Sequence, residues 1–302
     1  MNTSKAMTAP RRISGVAKGL TSVLAAGLAL LAFTETASAQ EIQLTGPLAG
    51  APAVRKLRLY RQARFEIAPA VSFTLLDEYQ RTILLGARLT YNLTDWFGIG
   101  AWGGYGGLIR IPTSLTDHIQ EVNRDRRRLA GDGYENTVTG RLTAVNLGAD
   151  LKDQIAQVDW MVAPQVTFVP FRGKISIFQA IYADTDVYFF GGPAFVGLQE
   201  RQDCSTVECA TAAGFQRGSR MAIAPTAGLG LTFYANKWSA LGVEYRTLAY
   251  ARNNGGFDTA GSGKDKAFPD NRISADDRSF SFTHLVTVSY NFYLPTQYRV
   301  SE

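Results

Sequence analysis

Phe280 to Leu294 reads FSFTHLVTVSYNFYL, and its two interleaved sets decide the fold. The even positions are Phe280, Phe282, His284, Val286, Val288, Tyr290, Phe292 and Leu294, of which seven are apolar. The odd positions are Ser281, Thr283, Leu285, Thr287, Ser289, Asn291 and Tyr293, of which five are polar. Successive side chains on a strand point to opposite faces. The segment is therefore a long strand with one oily and one wet face. Soluble strands run to about 5–6 residues, whereas a tilted membrane strand needs about 9–11.

The same alternation recurs upstream. Phe65, Ile67, Val71 and Phe73 alternate with Glu66, Ser72 and Thr74, and Ile83, Leu85, Leu89 and Tyr91 oppose Arg88, Thr90 and Asn92. Trp160, Val162, Val166 and Phe168 oppose Asp159, Gln165 and Thr167. Met221 to Tyr234 and Leu241 to Arg246 repeat the pattern, and the Gly-rich, aromatic segments Phe97–Leu108 and Val187–Leu198 follow it less cleanly. These readings predict eight strands at 64–75, 82–93, 97–108, 157–170, 186–199, 220–235, 239–251 and 280–294.

Links between them fall into two classes. Thr94-Asp95-Trp96 and Asn236-Lys237-Trp238 are tight, and 171–185 is a medium link. The segments 109–156, 200–219 and 252–279 are long. Short turns on one rim and long loops on the other are the asymmetry of an outer-membrane barrel. The expected fold is therefore all-β: an eight-stranded, antiparallel, up-and-down transmembrane β-barrel with long extracellular loops. Closing the first strand on the last removes sheet edges that hydrocarbon cannot satisfy. Tyr91, Trp96, Phe233 and Trp238 lie beside the tight turns, as an aromatic girdle would require. Glu66, Arg88, Asp159, Glu244 and Arg246 share the wet face, so in such a barrel they form a lumenal charge network, and buried charges there require pairing. A soluble lipocalin-like barrel or sandwich reverses every one of these directions.

The N-terminal 39 residues point to the compartment. Lys5, Arg11, Arg12 and Lys18 precede the apolar run Leu20–Phe33, and Ala37-Ser38-Ala39 precedes Gln40 as a cleavage box. This is a secretory signal pattern, and the run is short of the roughly 20 residues that cross a bilayer; a signal anchor is the alternative. Removing the leader's four cations and Glu35 lowers the formal charge from +5 to +2, which gives no argument for nucleic acid. The organisation read from this is a signal peptide at 1–39, an N-terminal periplasmic segment at 40–60, a barrel at 61–295 and a tail at 296–302. In an oxidising compartment Cys204 and Cys209 are a disulfide candidate; a reduced pair is the alternative, and a metal site is disfavoured because no His lies nearby.

Little in the chain points to catalysis. His284 lies on the oily face, and a lipid-facing His needs a nearby Ser there, but position 286 is Val. His118 lies in the longest loop, where Ser114 to Asp117 reads as a helix start with Ser114 as cap. Leu115, Ile119, Val122 and Leu129 recur at helical spacing beside Arg124, Arg126, Arg127 and Arg128. Those arginines are candidates for contact with lipopolysaccharide phosphates, or are simply a solvated charged face. Gly103 to Gly107 lacks the Lys and helix of a phosphate loop.

Val288-Ser289-Tyr290-Asn291-Phe292-Tyr293-Leu294-Pro295, the Asn236-Lys237-Trp238 turn, Val162-Ala163-Pro164, Gly173 to Phe178 and Asp186-Val187-Tyr188 resemble the outer-membrane β-barrel domain family of myxobacteria and their relatives. The resemblance implies an outer-membrane barrel with no established activity, and no cofactor or catalytic residue carries over. The expected partners are outer-membrane lipid and lipopolysaccharide, with the barrel assembly machinery during biogenesis and no nucleic acid. The expected role is structural or in surface interaction and not enzymatic. The alternatives are a small channel or solute-binding barrel, or a lipid-modifying enzyme.

Overall fold

The computed structural model describes residues 58–130, 151–177, 181–202, 216–268, 273–297 and 299–300. Its strands are β1 (Arg58–Leu59), β2 (Arg64–Leu75), β3 (Gln80–Asn92), β4 (Phe97–Pro112), β5 (Gln157–Ile177), β6 (Ile181–Gln202), β7 (Gln216–Tyr234), β8 (Ser239–Arg252), β9 (Ser279–Leu294) and β10 (Arg299–Val300). Among the described residues, helices α1 (Ser114–Ala130) and α2 (Leu151–Gln154) lie between β4 and β5. Strands β2 to β9 form one closed barrel in sequence order. Every neighbour is antiparallel, and β2 pairs with β9 from Phe65↔Leu294 to Leu75↔His284. The ladder thus has no free edge around the ring, which is the condition for crossing hydrocarbon.

Which way the alternation points is visible in β2. Arg64, Glu66, Ser72 and Thr74 are buried, while Phe65, Ile67, Val71 and Phe73 face out. On β9, Phe282 and Val288 are 60% and 46% exposed, and Thr287, Ser289 and Asn291 are buried. Ile223, Leu229, Leu241 and Val243 continue the outer apolar surface. Burying such side chains is worth about 1.5–3 kcal/mol each relative to water, so this wall belongs against acyl chains. The soluble alternative, with oily residues inside, is overturned. The shortest barrel strand has 12 residues. At about 3.3 Å per residue and a tilt of about 40° it spans about 30 Å, enough for an apolar band about 25 Å tall.

Several boundaries differ from the sequence reading. The medium link at 171–185 is largely strand: β5 and β6 pair from Phe171↔Val187 to Ile177↔Ile181. Because β4 meets β5 only between Phe97↔Phe168 and Tyr105↔Trp160, and β6 meets β7 only from Asp184, the end of this hairpin extends past the ring. Helix α1 is capped by Thr113 and not Ser114: the Thr116 N–H faces Thr113 Oγ1 at 3.5 Å, and Ser114 is the first helical residue. The tail also contributes structure, since Arg58 pairs with Val300 and Leu59 with Arg299. Arg64 secures that junction by donating to the carbonyls of Tyr60, Tyr293 and Pro295 at 2.7, 2.9 and 2.7 Å. The leader 1–39 lies outside the described residues.

Candidate functional site

The interior splits into an ionic half and an apolar half. Near the short-turn rim, Glu66, Arg88, Glu244 and Arg246 meet through alternate inward positions of β2, β3 and β8. The Arg88 guanidinium contacts the carboxylates of both Glu66 and Glu244 and donates to Tyr188 OH at 2.7 Å. Tyr188 OH donates onward to Glu244 at 2.6 Å. Arg246 is 3.6 Å from Glu244, donates to Gln165 at 2.7 Å, and lies over the rings of Trp102 and Phe190 at 4.4 and 4.3 Å. These charges are almost wholly buried, so each ion depends on its neighbours for solvation lost on folding. A Cβ at Gly230 would lie 2.3 Å from Tyr188 Cζ; glycine there makes room for the ring that joins Arg88 to Glu244.

Asp159 stands apart. The β5–β6 register shifts between Val158 and Trp160, and this bulge takes Asp159 out of the inward sequence. It pairs with Arg110 at 2.8 Å and accepts from Gln199 at 2.7 Å, half-buried near the long-loop rim. Arg61 takes a central place instead. It reaches in from just before β2 and bonds Glu66, Asp186 and Thr232 at 3.1, 2.9 and 2.9 Å. Tyr234 donates to Asp186 at 2.6 Å and stacks on Tyr60 at 4.2 Å. Alternation could not flag Arg61, which precedes the strand. Asp186 shares inward parity with Tyr188 and Phe190, a signal obscured by the Gly-rich run that follows.

Toward the long-loop rim the interior is filled by Leu84, Trp102, Met161, Val196, Leu198 and Leu248. The rim above is closed by chain as well as side chains. Gln154 of α2 donates to the Gly255 carbonyl at 3.2 Å, Arg201 to that of Gly256 at 3.1 Å, and Ala156 N to that of Asn254 at 3.0 Å. Gly256 has φ +65, and a Cβ there would lie 2.4 Å from the Gln154 carbonyl oxygen. Glu200 accepts from Arg220 at 2.8 Å and Arg278 at 2.9 Å, and Arg252 donates to Asp77 at 2.8 Å. Beside them Tyr79 packs edge-on against Phe257, and burial, then the Glu78 charge, pushes its phenol above the ordinary range.

The remaining sequence candidates sit as follows. Tyr91, Trp96 and Trp238 are exposed on the outer wall at the short-turn rim, and Phe233 is half-buried there. Trp96 meets Phe168 edge-on at 5.9 Å, and Trp238 stacks on Phe292 at 5.9 Å. Arg124 is exposed on α1; the side chains of Arg126, Arg127 and Arg128 lie outside the described residues, as do Cys204 and Cys209. His284 Nδ1 is 2.7 Å from Tyr245 OH on the outer wall. Two further features escaped the sequence reading. The carboxylates of Asp258, Asp265 and Asp277 lie within 4.8 Å of one another in the β8–β9 loop; Asp277 already accepts from the Thr259 and Ser274 N–H groups. A cavity of about 440 Å³ opens at the short-turn rim between Tyr60, Lys174, Asp184, Tyr234 and Asn236.

Closed ring, apolar outside and paired ions within define the class: a membrane β-barrel. Among solved structures the chain is similar to the N-terminal β-barrel domain of Pseudomonas aeruginosa OprF, at 9% identity and TM-score 0.36, covering 76% of this chain and 98% of that one. It is also similar to Ail of Yersinia pestis, at 11% identity and TM-score 0.33 over 77% and 98%. OprG from Pseudomonas aeruginosa matches at 8% identity and TM-score 0.35 over 78% and 97%. No protein-family model and no curated protein matches the chain. The class assignment rests on the closed ladder and its polarity.

Proposed function

We propose that this chain is an integral outer-membrane barrel that acts in envelope structure or surface interaction, with the long loops outside the cell and the short turns in the periplasm. One observation carries the reading: the face set against the barrel's surroundings is apolar along β2 and β9, while arginines and carboxylates pair inside. The exported leader pattern and the girdle residues support the same compartment. The resemblance of Val288–Pro295 and the Asn236–Trp238 turn supports affiliation with the outer-membrane barrel domain family of myxobacteria. Lipid and lipopolysaccharide are the proposed partners of the wall and loops, and the assembly machinery that of the nascent strands. A non-enzymatic role is part of this proposal; the polar partner of His284 on the wall is the Tyr245 hydroxyl.

Protease shaving of intact cells with membrane fractionation tests this. Cleavage is expected within 109–156 or 252–279, together with heat-modifiable migration of the membrane-bound protein. Recovery in the soluble periplasmic fraction refutes it. The channel alternative is separated by planar-bilayer conductance, where the filled interior leads to no steady open-pore current.

A further inference from the structure

Helix α1 is inverted relative to a helix of a soluble protein. Such a helix turns its apolar stripe to the core. Among the described side chains of α1 the fully buried ones are polar, Thr116 and Asn123 at 0% and 1% exposed, with Ile119 half-buried between them. Thr116 Oγ1 donates to the Tyr79 carbonyl at 2.6 Å, and Gln120 accepts from Leu151 N at 2.7 Å. Leu115 and Val122, two turns apart, are instead 46% and 45% exposed. The strand leading into the helix has the same polarity, with Ile109 and Ile111 exposed on β4 and Ile109 paired with Ile83 of the outer apolar set. Helix and strand end thus continue the oily surface of the wall. Arg124 is exposed, and Arg126, Arg127 and Arg128 follow on the same helix.

We infer that α1 is an interfacial helix: its Leu115–Val122 strip faces the acyl chains of the outer leaflet, and its arginines meet lipid phosphates. The inference rests on the membrane reading above and deepens it. Two observations select lipid as the occupant, continuity with the wall and the basic end of the helix, which is the composition of helices that lie in a headgroup plane. Polar contacts to Tyr79 and α2 hold the helix from the protein side, leaving the apolar strip for the bilayer.

The test uses the full mature chain with C204S/C209S, refolded into phospholipid vesicles containing lipopolysaccharide, with folding of each variant checked by heat-modifiable migration. Single cysteines replace Leu115, Val122, Asp117, Glu121 and, as a wall reference, Leu229, and carry an environment-sensitive fluorophore. Nitroxide lipids serve as quenchers. Labels at Leu115→Cys and Val122→Cys are expected to be blue-shifted and to lose emission to the nitroxide, while those at Asp117→Cys and Glu121→Cys stay water-like. Water-like emission at all four helix sites, with Leu229→Cys quenched, overturns the inference and leaves the barrel reading intact. A blue shift at Leu115 and Val122 without lipid quenching also overturns it, in favour of a protein cover such as a second copy. An unquenched label at Leu229 removes the membrane reading itself.

Discussion

Arg88 joins two carboxylates that would otherwise face each other across a buried space, and Tyr188 completes the group. Removing one partner of a buried ion pair leaves the other unsolvated, at a cost of about 3–5 kcal/mol, whereas replacing the whole group by neutral residues is often tolerated. Arg88→Met is therefore expected to destabilise the barrel by about that amount, and E66Q/R88M to recover part of it, because Arg61 keeps Asp186 and Glu244 keeps Arg246. Urea titration of the folded gel band in vesicles measures both. Gly230→Leu should act through the same group, because a side chain there meets the Tyr188 ring; lower stability with an unchanged wall is the expected reading. At this scale parity made the inward direction of Glu66, Arg88, Glu244 and Arg246 legible. It could not reach Arg61, whose guanidinium enters from outside any strand, and it misplaced Asp159, because a bulge resets parity without any mark in the local residue pattern.

Among the elements, β2, β3 and β7 to β9 were legible because each carries one apolar set against lipid, whereas the Gly-rich β4 and β6 carry the period-two signal less cleanly. The β5–β6 hairpin was not, since below the ring no lipid enforces alternation and Phe171-Arg172-Gly173-Lys174 reads as a loop. The end of this hairpin, 175–183, pairs with neither β4 nor β7. Replacing 175–183 by Asn-Gly, a two-residue turn suited to hairpins, joins the paired Lys174 and Asp184 and is expected to leave folded-band migration and urea midpoint unchanged; loss of the folded band would make the hairpin part of the ring's stability. Helix α1 was legible as a helix from its spacing, but which face it buries was not. The spacing shows only that an apolar strip exists, and the partner that covers it is decided by Tyr79 and α2 from elsewhere in the chain.

For the molecule as a whole, the interior is a core in two materials: ions toward the short turns, aliphatic and indole groups toward the long loops. Eight strands leave room only for side chains, so the barrel resembles a solid staple through the membrane more than a duct. The junction at its base carries a further consequence. Arg58–Leu59 runs alongside Arg299–Val300, and Arg64 binds the carbonyls of Tyr293 and Pro295. Beginning and end of the folded body are thus neighbours, and the order in which the gene supplies the strands becomes separable from the wall they build. A rearranged chain opened within 131–150, with residues 58 and 300 joined by a few glycines, should regain the native mobility shift in vesicles. It would start on the far side of the bilayer from its parent, with both new ends displayed where the long loops emerge.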